Sequence, residues 1–92
     1  MITFVLPNAL TPLARGLGTV RVEHARGTVR EALATLGERN PGIVDRVLTE
    51  QGDVREHVNL FLGEENIRFL DGLATPVNDG DTIVVVPSVS GG

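Results

Sequence analysis

Apolar residues alternate with polar ones near both ends of the chain, and between them they follow a helical spacing. Ile2, Phe4 and Leu6 are separated by Thr3 and Val5, the period of two expected for a strand with one buried face, and Pro7 ends it. Residues 8–18 hold Pro12, Gly16 and Gly18 and read as a loop. Thr19 to Glu23 alternate again, so this stretch reads as a second strand hairpinned to the first. Thr28 with Glu31 three residues on is a capping box, the reciprocal pairing that starts a helix. Val29, Ala32, Leu33 and Leu36 then mark one buried helical face, which Gly37 and Pro41 are expected to end.

Asn40-Pro41 reads as the start of a second short helix, with Ile43, Val44, Val47 and Leu48 as its apolar side. Residues 49–57 are polar and charged and read as a mobile loop. Residues 58–62 make a third strand, 63–66 a turn, and 67–69 a fourth strand. Residues 72–80 read as an irregular crossing, with Pro76 and an Asp79-Gly80 turn. The last strand, 82–87, carries Ile83-Val84-Val85-Val86, which is apolar on both faces and suits a central position. The expected architecture is α+β: a mixed five-strand sheet, strand order ββαβββ, packed on one main helix, with the first and last strands parallel neighbours.

This parity has a consequence for the surface. If Ile83 and Val85 face the helix, Val84 and Val86 face away from it; with Leu60 inward, Phe61 points outward. Phe61, Val84 and Val86 are therefore expected to form an apolar patch on the uncovered face, of the kind that marks a partner surface.

Composition bounds the rest. The 92 residues suffice for one compact domain, and the three aromatics are all Phe, so Val, Leu and Ile must build the core. Net charge is −4 and the basic residues are scattered singly, which argues against nucleic acid as a partner. No apolar run reaches transmembrane length, and the opening MITFVLPNAL lacks the charged start of a signal peptide; the expected location is the cytoplasm. The absence of Cys removes disulfides, thiolate metal ligands and a thiol nucleophile. Lys is absent too: all eight basic residues are Arg, the expected result of a GC-rich genome, which also leaves the side chains without a nucleophilic amine. His24 and His57 are isolated, Glu64-Glu65 and Asp79/Asp81 read as turn residues, and no metal spacing, phosphate loop or catalytic triad is present.

What remains is the tail, Pro87-Ser88-Val89-Ser90-Gly91-Gly92. Glycine has no Cβ, so a Gly-Gly end is the thinnest peptide that can thread a narrow active site. By itself it reads better as a frayed end. Its setting adds to it: the segment HVNLFLGEENIRFLDGLATPVNDGDTIVVVPSVSGG resembles the ThiS/MoaD family of sulfur carriers. The shared pieces are Val58-Asn59 with its hairpin, Leu73-Ala74-Thr75-Pro76-Val77, Asp79-Gly80-Asp81, the apolar last strand with Pro87, and Gly91-Gly92.

The resemblance implies a ubiquitin-like β-grasp fold, a flexible tail at about 88–92, and no catalysis by the chain alone. It implies that a ubiquitin-activating-like adenylyltransferase/sulfurtransferase uses ATP to activate the Gly92 carboxylate and leaves a thiocarboxylate there. Phe61, Val84, Val86, Pro87 and Val89 are then the partner contacts, Gly91 and Gly92 the reacting end, and no cofactor or metal is bound. The length, second helix and 49–57 segment are similar to carriers that feed a pyridoxal-phosphate cysteine synthase, with a metalloprotease freeing the product. The closing motif is also similar to the small subunit of molybdopterin synthase, whose partner is the large subunit. A β-grasp binding module or a protein modifier is the further alternative.

Overall fold

The computed structural model describes residues 1–23 and 27–87. The first strand, β1 (Ile2–Val5), and the second, β2 (Thr19–Val22), are antiparallel, with Ile2 opposite Val22 and Val5 opposite Thr19. Helix α1 (Val29–Arg39) follows, then α2 (Ile43–Val47), β3 (Val58–Leu62), β4 (Glu65–Asn66) and β5 (Thr82–Pro87). The sheet order is β2-β1-β5-β3-β4. β1 and β5 run parallel in its interior and β3 is antiparallel to β5, so the expected mixed sheet and its central pair are found.

The helix begins where the capping box places it. Thr28 Oγ1 accepts from the Glu31 N–H, and the Glu31 carboxylate accepts from the Thr28 N–H, which satisfies donors of the first turn from both sides. Val29, Ala32, Leu33 and Leu36 are buried against the inner sheet residues Ile2, Phe4, Val22, Leu60, Ile83 and Val85. Helix and sheet thus form two layers over one apolar core.

Several boundaries differ from the sequence expectation. Residues 8–14 are not an open loop but a 3-10 helix, Asn8–Ala14, which buries Leu10 and Ala14 beneath α2. Gly37 does not end α1; the helix runs to Arg39, and Gly37 lies inside it where α2 crosses. Asn40 closes α1 instead of opening α2: its buried side chain donates from Nδ2 to the Leu36 carbonyl at 3.1 Å, and Gly42 precedes α2. The segment 49–57, expected to be mobile, is a hydrogen-bonded turn. Thr49 donates its N–H to the Asp53 carbonyl, Arg55 donates its N–H to the Val47 carbonyl, and Leu48 bridges Val54. The fourth strand is Glu65–Asn66, and residues 67–69 form a 3-10 turn rather than a strand, because Asn66 Oδ1 accepts from the Arg68 N–H and curls the chain.

Candidate functional site

The site is built on the last strand. β5 is held on both sides: Val84 is opposite Val5 of β1 and Phe61 of β3, while Val86 is opposite Asn59 and Pro87 opposite Val58. Pairing persists to Pro87, so whatever follows leaves from a fixed point in the middle of the sheet. Gly91, Gly92 and Val89 lie outside the described residues, as does His24.

The outer face is as parity dictates. With Ile83 and Val85 buried in the core, Phe61, Val84 and Val86 turn to the side that carries no helix. They are half-buried rather than fully exposed, since residues opposite one another across strands cover each other's flanks. Pro87 is exposed at the strand end. Val5 completes the row Phe61–Val84–Val5 across three strands, a member the sequence reading omitted. Its position out of phase with Ile2 and Phe4 was the signal that could have found it.

A second omission is Phe69, 77% exposed, with Leu70 exposed beside it. Read as a strand, residues 67–69 put Ile67 and Phe69 on one buried face; the 3-10 turn rotates Phe69 outward while Ile67 stays in the core. An open hollow of about 260 Å³ lies between β3 and the 54–56 segment, lined by Val54, Arg55, Val58, Asn59, Asn66 and Ile67. Asn66 Nδ2 donates to Asn59 Oδ1 at 3.2 Å and ties its rim across β3 and β4. Val58, in its lining, is the residue opposite Pro87.

Among the described residues no group of three or more His, Cys, Asp or Glu side chains could hold a metal ion, and His57 is exposed. No helix among them is long and apolar enough to cross a membrane. What the described surface offers is a half-apolar sheet face across β1, β5 and β3, and a separate hollow against β3.

Known proteins are similar to this chain in sequence and fold. The chain is 30% identical to the sulfur carrier protein CysO of Mycobacterium tuberculosis, covering 99% of this chain and 98% of that protein. A chain from the crystal structure of the Amycolatopsis orientalis BexX/CysO complex superposes with a TM-score of 0.90 at 30% identity, covering 100% of both chains. SAMP1, a small archaeal modifier protein of Haloferax volcanii, superposes at 0.81 with 30% identity, over 99% of this chain and 98% of that one. These neighbours share the ubiquitin-like β-grasp fold. The ThiS family model matches residues 6–92, and with that match and those relatives the chain belongs to the ThiS family.

Proposed function

We propose that this protein is a sulfur carrier whose reacting group is the carboxylate of Gly92, and that it acts as a cosubstrate with no activity alone. The observation that carries the reading is the near full-length likeness to a sulfur carrier, joined to a last strand that is paired at Pro87 and is followed in the sequence by a Gly-Gly end.

The chemistry explains the design. A carboxylate is a poor electrophile. Attack of the Gly92 carboxylate on the α-phosphorus of ATP, within a partner adenylyltransferase, releases pyrophosphate and gives an acyl-adenylate. A persulfide donor then adds its terminal sulfur to the acyl carbon and AMP leaves with its electron pair; a second thiol of the donor attacks the inner sulfur of the acyl disulfide, so that the donor leaves as a disulfide and a thiocarboxylate remains. That sulfur is a soft nucleophile held on a protein, so free sulfide is avoided. ATP is consumed by the partner and is not a resident cofactor of this chain. Phe61, Val84, Val86, Pro87 and Val89 supply partner contacts, and Gly91 gives the tail its narrow section. Binding energy from the sheet face positions the reacting end in the partner's active site.

For the destination of the sulfur, a pyridoxal-phosphate cysteine synthase is the acceptor we favour, with a metalloprotease releasing the product. Its support is the likeness to CysO over the whole chain. The likeness to SAMP1 favours a second reading, a modifier joined through Gly92 to lysines of other proteins.

Incubation with an activating enzyme, ATP and a sulfur donor, followed by intact-mass measurement, tests the proposal. The expected gain equals the exchange of one oxygen for sulfur, and its absence sinks the carrier reading. Conjugates carrying the chain on lysine side chains would favour the modifier. Retention of a molybdopterin synthase large subunit in place of a cysteine synthase would redirect the sulfur to molybdenum cofactor synthesis.

A further inference from the structure

The opposite edge of the sheet, far from β3 and β4, carries a feature that tail chemistry does not use. β2 is an edge strand whose outer side pairs with no described strand. Leu6 donates its N–H to the Gly18 carbonyl at 2.8 Å, and the register continues as Phe4 opposite Val20 and Ile2 opposite Val22. In such an antiparallel ladder alternate residues aim both backbone groups at the partner strand. Val20 and Val22 therefore face β1, and Thr19 and Arg21 present N–H and C=O groups outward.

Along this edge runs an open hollow of about 390 Å³ between β2, the turn after the 3-10 helix and the end of α1. Its lining includes Arg15, Arg21 and Arg39 over an apolar floor that contains Val20 and Leu17, the latter 53% exposed. Three of the eight arginines of an acidic protein thus meet at one place, and none forms an ion pair with another described residue. Arg15 is also the one non-glycine described residue with a positive φ, 57°.

We propose that this edge binds an extended, acidic segment of a partner protein, which adds to β2 as a further strand. Its backbone pairs with Thr19 and Arg21, its acidic side chains on Arg21's face meet that guanidinium within reach of the positive charge of Arg15 and Arg39, and an apolar side chain on the other face rests on Leu17 and Val20. A nucleic acid cannot satisfy the edge, since a phosphate backbone has no alternating donors and acceptors to match a strand. A second copy of this chain is disfavoured as well, because pairing two β2 edges sets Arg21, Arg15 and Arg39 against their own copies. The inference is independent of the sulfur-carrier reading.

The test uses the full chain with a capped peptide alternating glutamate and valine. Saturable binding is expected, with slowed amide hydrogen exchange at Thr19 and Arg21 and weakening as salt rises. The combined Arg21→Glu and Arg39→Glu variant should bind about tenfold more weakly or worse, with its thermal melt little changed. A lysine–valine peptide should not bind. Should that variant fail to fold, the wild-type protein still decides through the same acidic peptide N-methylated on its backbone, which keeps the charge and loses the donors. Equal binding of the N-methylated peptide, protection that maps to the Phe61–Val84 face, or no binding overturns the proposal. Removal of Gly91 and Gly92 should leave peptide binding unchanged, which separates this result from the tail chemistry.

Discussion

Val44 Cγ2 lies 2.5 Å from the point where a Cβ on Gly37 would stand, so the two helices meet at a position that only glycine fits. Alanine in a helix interior is worth about 1 kcal/mol over glycine, while overpacking a tight contact costs roughly 1–3 kcal/mol. Valine is stiff about χ1 and cannot swing its methyl aside freely. Gly37→Ala should therefore lower stability by up to about 2 kcal/mol. In a Val44→Ala background the same change should raise it by about 1 kcal/mol. Urea unfolding of the four proteins measures this, and additive effects would show that the crossing is looser than its geometry.

The capping box makes a second prediction. Thr28→Ala should cost about 1 kcal/mol, because an N–H of the first helical turn loses its acceptor. For a domain of this size that is a fall in Tm of roughly 4–8 °C. Thr28→Ser, which keeps the hydroxyl, should stay close to the parent. Thermal melts that place the serine and alanine variants together would refute the role of the cap.

Phe4 and Phe61 sit on opposite faces of the sheet and should separate stability from binding. Phe4 is fully buried, and Phe4→Ala should cost roughly 3–5 kcal/mol, enough to threaten folding in a domain this small. Phe61→Asp and Val86→Asp, on the half-buried face, should weaken capture by the activating enzyme more than they lower Tm. Parallel titration and melting decide between the two, and a dominant stability loss would mean that those side chains are core.

Deletion of Gly92 should leave the melt within about 0.5 kcal/mol of the parent, since the described sheet pairing and the buried core are built from residues up to Pro87. It should also remove the mass gain in the activation assay. Addition of one residue after Gly92 should do the same. A truncated protein that still accepts sulfur would place the chemistry elsewhere.

Local pattern was enough for much of the fold. The alternation of Ile2, Phe4 and Val22, the Thr28–Glu31 box and the doubly apolar Ile83–Val86 run each encode an element through neighbours two to four residues away, and each is found as read. Parity alone turned Phe61, Val84 and Val86 to the outer face, because the pleat leaves no other choice once Ile83 and Val85 are buried. Asn40 and Gly37 were legible as helix punctuation but not in their roles. Whether Asn40 closes one helix or opens the next depends on which carbonyl is within reach, and whether Gly37 ends a helix or admits a neighbour depends on Val44. The pairing that sets Val5 beside Val84 and Phe61, and the meeting of Arg15, Arg21 and Arg39 on the β2 edge, were decided by tertiary structure alone. These residues come from separate elements, and their relation exists only once strand order and helix crossing set the distances between them.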